Sequence, residues 1–347
     1  MLNLLDLTFS ELESFFVEDV KEPRFRAAQV WQWLWQKDAR DFAAMTNLSK
    51  ILRDKLAARA AVAWPEVADV RASRDGTIKF LLRLGDGKLI ESVLIPNDKL
   101  ARYTQCLSTQ VGCAMACTFC NTGLMGFERN LTQGEILGQI LVGRAHLAAS
   151  GLAPLTNLVF MGMGEPLLNL DWLLKSLATL NSDTGLNISW RRTTVSSVGL
   201  PKGLDVLGAS GLALPAISLH APTQELRARI MPKAAQVPLD ELLAALDRYP
   251  MKPRERITFE YLLLRGINDS PAHARQLHKL LCNRRCKVNL IAYNATEDSP
   301  YQAPDPDAVL AFEKILWDKG MTATIRRSMG TDIKAACGQL KAERVRG

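Results

Sequence analysis

The chain has 347 residues, of which 48% are hydrophobic, and its formal net charge is +7. No apolar run reaches the length of a transmembrane helix, and the N-terminus lacks the basic region of a secretion signal. Seven cysteines, an odd number, do not suit a secreted disulfide framework, so we expect a cytoplasmic protein with no membrane partner. The excess of Lys and Arg makes a polyanionic partner plausible.

The first segment, residues 1–65, is predicted to be a helical accessory domain. Thr8 or Ser10 is a suitable N-cap for a first helix, and residues 25–35 and 48–56 carry apolar side chains at helical spacing. The tryptophans of this segment are expected to pack in its core, although stacking on nucleobases is the alternative. Residues 66–98 change character and predict a small β-hairpin connector, with turns at Asp75-Gly76 and Asp86-Gly87.

From residue 99 to the C-terminus, predicted strands alternate with predicted helices. The strands are placed at 104–110, 157–161, 192–197, 213–219, 257–264 and 287–293, with a late strand at 322–326. The helices are placed at 132–149, 171–180, 238–249, 272–282 and 305–319. Alternation on this scale predicts an α/β fold with a parallel sheet, and six such units suit an incomplete (βα)6-type barrel.

Three cysteines, Cys113, Cys117 and Cys120, stand in one predicted loop with the spacing C-x-x-x-C-x-x-C. Structural zinc sites and iron–sulfur electron carriers use four protein ligands, whereas three thiolates on a four-iron cube leave one iron open to a small molecule. A zinc knuckle with Cys106 as fourth ligand is the alternative, but no histidine lies between Cys106 and Cys120. The spacing, with Phe119 before the last cysteine, resembles the radical S-adenosylmethionine (SAM) superfamily, in which the open iron holds SAM.

Polar residues follow the later predicted strands, and binding sites in such barrels lie at the carboxyl ends of the strands. Gly164 and Glu165 follow the second strand, where glycine lets the backbone approach a ligand closely and a carboxylate accepts from an ammonium group. Five further polar residues follow the later strands and would form a ring over the barrel mouth. Each one alone is more typical of a turn or cap, but as a set they favour a bound polar cofactor. They are Ser196, Ser197, Ser218, His220 and Asn294.

Four cysteines lie outside the three-cysteine loop. Cys106 lies on the first predicted barrel strand, and Cys337 lies among small residues near the chain end, where a flexible segment can carry a nucleophile. Cys282 and Cys286 are interpreted as small buried hydrophobic residues.

Five motifs in order resemble the dual-specificity rRNA/tRNA adenine-C2 methyltransferase family of the radical SAM superfamily. They are the cysteine run from Cys106 to Cys120 and the segments 126–131, 162–169, 218–222 and 335–340. The resemblance covers essentially the whole chain, and it makes the N-terminal helical domain a candidate RNA-binding module.

The resemblance implies residue roles, carried over motif by motif. Cys113, Cys117 and Cys120 would bind one [4Fe–4S] cluster. The positions that would contact SAM are Gly164, Glu165, Ser196, Ser218, Leu219, His220 and Asn294.

The implied reaction uses two SAM molecules per turnover and a methyl-cysteine intermediate. One SAM would methylate Cys337, and a second SAM at the open iron would be cleaved to activate that methyl group for addition to carbon 2 of adenine. Glu91 would accept the displaced proton, and Cys106 would attack Cys337 to release the product, which leaves a disulfide bond. A cellular reducing system would reset the cluster and the disulfide. The implied substrates are 23S rRNA and the tRNA adenosine 3′ of the anticodon, and the expected enzyme is a monomer.

Three alternatives remain open at this point. The sister family that methylates carbon 8 of the same rRNA adenine shares the cluster, Cys106 and Cys337, although segment 126–131 looks more like the C2 family. A radical SAM activase that makes a protein radical would need neither the two extra cysteines nor the helical module. A cluster-stabilised RNA-binding protein would not need the polar ring.

Overall fold

The computed structural model describes residues 1–295 and 299–342. The N-terminal segment forms helices α1 (Phe9–Phe15), α2 (Phe25–Trp35) and α3 (Lys50–Ala57), with two short parallel strands, β1 (Leu2–Asn3) and β2 (Ala60–Ala61). Thr8 caps α1 in a reciprocal capping box with Glu11, and Ser49 caps α3 by accepting from the N–H of Leu52. The helices predicted in this segment are therefore confirmed.

The tryptophans of α2 mostly serve as core residues. Trp31 and Trp35 are buried and meet edge to face with ring centroids 5.6 Å apart. Trp33 is half-buried, and its Nε1 donates to Asn47 Oδ1 at 2.6 Å. Core packing, and not base stacking, is confirmed for Trp31 and Trp35.

Three antiparallel strands follow, β3 (Glu66–Ala72), β4 (Ile78–Arg83) and β5 (Leu89–Asn97). The turns between them contain Gly76 at φ 82° and Gly87 at φ 81°, a left-handed conformation that favours glycine. Both turns lie where the Asp-Gly pairs predicted them.

The rest of the described chain alternates between strands and helices. The strands are β6 (Arg102–Cys106), β7 (Gln110–Gly112), β8 (Phe127–Asn130), β9 (Leu155–Phe160), β10 (Thr193–Ser197), β11 (Leu214–Ser218), β12 (Ile257–Leu263), β13 (Cys286–Ala292) and β14 (Ala323–Arg326). The helices are α4 (Asn121–Leu124), α5 (Gln133–Ala149), α6 (Leu170–Asn181), α7 (Pro201–Ser210), α8 (Gln224–Ile230), α9 (Leu239–Arg248), α10 (Pro271–Leu281) and α11 (Pro306–Asp318). Among the described residues, no helix has the length and apolarity needed to cross a bilayer.

One ten-stranded sheet runs in the order β14-β13-β12-β11-β10-β9-β6-β5-β4-β3. Strands β6 and β9 to β14 are parallel to their neighbours, whereas β5 pairs with β6 antiparallel and adds the connector strands to the same sheet. The predicted α/β barrel with six βα units and a late strand is confirmed. All carboxyl ends of the parallel strands therefore open on one end of the barrel, where a site can form.

Two features of the barrel differ from the sequence-based expectation. The first strand ends at Cys106 and not at residue 110, because the N–H of Ser108 donates to Gln139 Oε1 at 2.9 Å and its hydroxyl to Glu91 O at 2.6 Å. These side-chain bonds take the place of strand pairing. Helices α7 and α8 were not predicted, although Pro201 at the start of α7 and the C-cap Gly211 at φ 63° are typical boundary residues.

Candidate functional site

A cavity of about 160 Å³ opens at the carboxyl ends of the barrel strands. It is lined by the three cysteines of the cluster loop and by most of the predicted cofactor-binding residues, which come from separate βα loops. The predicted residues that meet there are Cys113, Cys117, Cys120, Gly164, Glu165, Ser196, Ser218, His220 and Cys337. The structure thus brings together residues that lie more than 200 positions apart in the sequence.

The cysteine loop is held open by local backbone geometry. It leaves the β7–β8 hairpin at Gly112, whose φ is 72° and where an added Cβ would lie 1.8 Å from Gly126 O, so only glycine fits. Cys120 is the N-cap residue of the short helix α4, and its sulfur accepts from the backbone N–H groups of Thr122 and Gly123. Such amide contacts stabilise a thiolate and a metal-bound sulfur alike.

Of the three thiols, that of Cys117 belongs to a buried residue, whereas Cys113 and Cys120 are half-buried. Burial raises the pKa of Cys113 to about 12, and burial followed by the charges of Cys120 and Cys113 raises the pKa of Cys117. Over residues 1–295 and 299–342, no three Cys, His, Asp or Glu side chains stand close enough to hold a single metal ion. The thiols surround the cavity and do not close on one point.

Arg227, which sequence reasoning missed, lies directly behind the cysteine loop on α8. It is fully buried and donates to the backbone oxygens of Ala234 at 2.7 Å, Val237 at 3.2 Å and Val198 at 2.7 Å. Burial lowers its pKa to about 10, and Cys117 opposes that effect. The sequence signal that could have identified Arg227 is a charged side chain within a seven-residue amphipathic stretch. Arg227 places a positive charge beside a group of thiols.

After β9, Gly162 and Gly164 stand where a larger residue would not fit, but the group that they approach is the protein itself and not a ligand. A Cβ at Gly162 would meet Leu107 O at 2.7 Å, and one at Gly164, where φ is 103°, would meet the Gln110 Cβ at 2.6 Å. The close approach that the sequence predicted is therefore made to the preceding loop of the protein, and both glycines also line the cavity.

The Glu165 carboxylate is buried and fully oriented by the backbone. Its Oε2 accepts from the N–H of Val198 at 2.9 Å, and its Oε1 accepts from the N–H of Leu167 at 3.1 Å. Burial raises its pKa, and hydrogen bonds from Ser197, Val198 and Leu167 oppose that shift. The carboxylate joins the loops after β9 and β10, and these three hydrogen bonds leave about one of its roughly four acceptor positions for a ligand donor.

Within the polar ring, the contacts of His220 fix its protonation state. His220 has a φ of 55°, and its Nδ1 accepts from the N–H of Leu262 at 3.0 Å. Burial, together with the charge of Arg227, lowers the pKa of His220 to about 3, so the imidazole is neutral at physiological pH. Its ring meets Phe119 edge to face at 5.1 Å, which ties the cysteine loop to β11. His220 is therefore suited to hold position and not to transfer protons.

The other ring members differ in their access to the cavity. Ser196 and Ser218 face each other with their hydroxyl oxygens 3.5 Å apart. Leu219 is buried, and its N–H donates to Glu260 O at 3.1 Å, so it does not line the cavity. Asn294 follows β13 and also lies outside the lining, but its buried Nδ2 has no hydrogen-bond partner in the described chain. An unpaired buried amide is costly and indicates a place for a ligand acceptor.

Glu260 is a second residue of the lining that sequence reasoning missed. It stands in the middle of β12, is 6% exposed, and accepts from Asn289 Nδ2 at 2.9 Å through Oε1. Burial raises its pKa, with Asn289, Arg326 and Lys287 opposing the shift. A carboxylate inside an otherwise apolar predicted strand was the signal that could have identified it.

The C-terminal tail carries Cys337 across the mouth of the cavity. Asn121 N–H donates to Gly338 O at 2.8 Å, and Thr122 Oγ1 donates to Leu340 O at 2.7 Å, which joins the tail to α4 beside Cys120. Cys337 is exposed as a residue, yet the surrounding protein desolvates its thiol and raises its pKa, with Glu260 contributing further. The tail is thus fastened on both sides of an accessible cysteine.

Cys106 lies behind the cavity lining and belongs to a different part of the core. It is 6% exposed and packs in the main hydrophobic core, whereas the three loop cysteines pack in a smaller cluster around the cavity. Burial raises its pKa, and the charge of Cys337 adds to that shift, which places the two thiols within electrostatic range. This arrangement disfavours a zinc knuckle that includes Cys106.

Glu91 does not line the cavity. Its Oε1 forms an ion pair with Lys79 Nζ at 2.9 Å, and its Oε2 accepts from the N–H of Lys341 at 2.9 Å. Lys79 Nζ also donates to Lys334 O at 3.1 Å. Glu91 is therefore placed at the base of the Cys337 tail, with both oxygens engaged.

The two remaining cysteines take different positions from one another. Cys286 is buried at the start of β13, as interpreted from the sequence. Cys282 is exposed just after α10, so its interpretation as a buried hydrophobic residue is wrong, because the helix ends one residue earlier and leaves the thiol outside.

Comparison with known proteins gives a consistent set of similarities. Residues 2–62 match the family model described as the ribosomal RNA large subunit methyltransferase N-terminal domain, and residues 107–277 match the radical SAM superfamily. A dual-specificity RNA methyltransferase RlmN of Nitratidesulfovibrio vulgaris (strain DP4) is 61% identical in sequence, and the alignment covers 99% of this chain and 95% of the relative's chain. The protein of the same description from Oleidesulfovibrio alaskensis is 59% identical, and the alignment covers 100% of this chain and 98% of the relative's chain. The crystal structure of a radical SAM methyltransferase from Sphaerobacter thermophilus superposes with a TM-score of 0.93 at 42% identity, covering 99% of this chain and 100% of that one.

Proposed function

We propose, from the premise that the chain belongs to the RlmN family of dual-specificity RNA methyltransferases within the radical SAM superfamily, that it methylates carbon 2 of adenosine in 23S rRNA and tRNA. The observation that carries the proposal is the meeting of Cys337 with the three loop cysteines in one cavity. An activase or a binding protein would not require that tail cysteine. We also propose a division into 1–65, 66–98 and 99–347, and the family model over residues 2–62 supports the first of these segments.

The residues present suit a [4Fe–4S] cluster with SAM. Cys113, Cys117 and Cys120 would hold the cluster, because they surround one cavity and amide N–H groups reach two of their sulfurs. The unpaired Nδ2 of Asn294 and the remaining acceptor position of Glu165 would orient a polar ligand. When bound, the cluster would supply an electron, one SAM molecule the methyl group, and the second SAM molecule the activation of that methyl group, none of which a side chain can provide.

The two remaining cysteines would act in sequence at the mouth of the cavity. In this proposal the Cys337 sulfur carries the methyl carbon to the base. Cys106 then attacks that sulfur, so a Cys106–Cys337 disulfide forms as the sulfur–carbon bond to the product breaks. A cellular reducing system returns both to thiols by exchange. The electrostatic contact between the two thiols supports this pairing.

Glu91 is the proposed acceptor of the carbon-2 proton. Because Lys79 and the Lys341 N–H hold its two oxygens outside the cavity, Glu91 would reach the carbon-2 proton only when one of these contacts opens. Movement of the C-terminal tail would provide that opening, since Lys341 belongs to the tail. We further propose a cytoplasmic monomer, because a cluster and a resettable cysteine pair both suit a reducing compartment.

The test is direct analysis of the product. Anaerobically reconstituted protein is incubated with SAM, a reductant and either tRNA or a 23S rRNA fragment, and the nucleosides are separated by mass spectrometry. We expect 2-methyladenosine in both RNAs, and none with Cys113→Ala, which should also lose iron. Appearance of 8-methyladenosine would reassign the chain to the sister activity, and absence of any methyladenosine with a loaded cluster would refute the proposal.

A further inference from the structure

Three basic clusters that are far apart in the sequence meet at the amino ends of the barrel strands. Arg191 and Arg192 precede β10, residues 252–256 precede β12, and residues 284–287 lead into β13. Lys319 precedes β14 in the same way. Because parallel strands all start at one end of the sheet, these loops share one surface, opposite the cysteine cavity.

Two adjoining grooves of about 530 and 810 Å³ occupy this surface and share residues 253–256. Together they are lined by eight Lys and Arg side chains but by one carboxylate, that of Glu255. The formal charge of the whole chain is +7, so its positive excess is concentrated here. We call this surface, which centres on Arg254, Arg256 and Lys287, the basic face.

Four of these eight cations contact neutral groups, so their charge is not cancelled. Lys252 and Arg191 lie over the Trp190 ring, at 3.8 and 4.9 Å from its centroid. Arg285 donates to the backbone oxygens of residues 251–253, and Arg256 donates to Thr322 Oγ1 at 2.9 Å. Arg284, bidentate with Asp247 at 2.7 and 2.8 Å, is the exception. The basic face therefore presents positive charges whose side chains are held in place by contacts with the protein.

We propose that the basic face binds the phosphate backbone of the RNA substrate at a distance from the target adenosine. The proposal rests on the proposed RNA methyltransferase function, because only a long polyanion can reach both ends of the barrel. β12, with seven residues, spans about 23 Å between those ends. An acidic electron-donor protein is the other occupant that suits positive charge, but it would be separated from the cluster cysteines by that length.

The test compares two double variants that remove the same formal charge. R254A/K287A removes two exposed cations of the basic face, and R275A/K314A removes two exposed cations from helices α10 and α11. Binding of full-length tRNA is measured at several salt concentrations. We expect R254A/K287A to weaken binding roughly tenfold near 0.1 M salt and to lower the log–log salt slope by about 1 to 2. R275A/K314A should stay within about twofold of wild type.

A short hairpin that carries only the target adenosine and its stem separates this contact from catalysis. It is too short to reach the basic face, so both double variants should bind it and methylate it at the wild-type rate. Equal tRNA affinity for the two double variants would overturn the proposal, as would a loss confined to binding of an acidic electron carrier. If wild-type protein methylates no RNA, the proposed function fails, whereas the comparison of tRNA affinities still tests the basic face.

Discussion

Identical thiol groups take distinct chemical characters in this chain because their surroundings differ. The three loop cysteines line one cavity, and the sulfurs of Cys113 and Cys120 receive backbone amide contacts, which suits metal binding. Cys337 is exposed on a tail fastened beside them, and Cys106 is enclosed in the main core. A nucleophile has to reach its substrate, whereas a resolving thiol has to reach only the nucleophile. The burial of each thiol therefore matches the timing of its proposed step.

This timing separates the effects of two substitutions. Cys337→Ala removes the methyl carrier, so no RNA-linked protein should form. Cys106→Ala removes only the later attack on Cys337, so a covalent protein–RNA adduct should accumulate. Denaturing gels of protein purified from cells, with and without ribonuclease, measure this adduct. The exposed Cys282 provides the control, because Cys282→Ala should behave as wild type. A Cys106 variant that carries no RNA and still methylates would contradict the two-cysteine scheme.

Arg227 should contribute strongly to stability. Arg227→Met leaves the carbonyls of Val198 and Val237 without a donor, at about 1–3 kcal/mol each, and leaves Ala234 O with only the N–H of Val237. We expect the free energy of unfolding of the cluster-free protein to fall by roughly 3 kcal/mol or more in urea titrations. The control is Arg229→Met on the same helix, because Arg229 is exposed and its loss should cost about 0.5 kcal/mol or less. Equal effects of the two changes would show that the buried contacts contribute little.

At the scale of secondary-structure elements, the connector strands hold the C-terminal tail that carries Cys337. Asp75, in the turn before β4, accepts from the N–H of Gly330 at 2.8 Å, and Ser73 donates to Asp332 at 2.6 Å. Lys79 and Glu91 then bind the tail at residues 334 and 341. Because these contacts flank Cys337, the connector has a structural reason to be part of the barrel sheet and not a free hairpin.

The buried pair of Lys79 and Glu91 gives a test of this arrangement. Lys79→Met leaves the Glu91 carboxylate buried without its partner, which should cost about 3–5 kcal/mol of unfolding free energy. The double variant K79M/E91M should recover most of that loss, because no charge then remains unpaired. Lys88→Met, which breaks an exposed pair with Glu128 in the same connector region, should cost about 1 kcal/mol or less in the same urea titration. A K79M cost as small as that of K88M would contradict a buried, tail-holding pair.

At the scale of the whole molecule, the N-terminal helices and the barrel share one hydrophobic core that extends from Leu4 to Leu340. The first turn of α5 binds the N-terminal segment, since Gln133 Nε2 donates to Leu5 O at 2.8 Å and to Leu7 O at 2.9 Å. Asp6 Oδ1 accepts from the N–H of Gly134 at 2.8 Å. A helical module bound in this way is not an independent folding unit.

We therefore expect the described parts of the chain to unfold together. Tryptophan fluorescence, which is sensitive to Trp31 and Trp35, and far-ultraviolet circular dichroism should report one coincident transition. Leu5→Ala should lower the free energy of unfolding by about 2–5 kcal/mol and shift both signals equally. A separate early transition in fluorescence alone would show that the N-terminal helices unfold on their own.

The features that the sequence determined by itself are local or follow from periodicity. The capping residue Thr8, the two Asp-Gly turns and the alternation of strands and helices depend on neighbours within a few positions. The cysteine spacing is also local, so the loop proposed to bind the cluster could be predicted without a fold. Parallel strand order then implied that residues after successive strands would meet.

Tertiary structure alone decided the environments of these residues, because they depend on contacts between distant segments. Gly164 faces Gln110 of an earlier loop, and Glu91 binds a backbone N–H 250 positions away. The burial of Arg227 behind the cysteines and the meeting of the three basic clusters arise from the packing of separate βα units. Sequence periodicity reports which face of an element is buried, but chain topology selects the partner on that face. In this protein that selection places the Cys337 tail beside the cavity and concentrates positive charge at the amino ends of the strands.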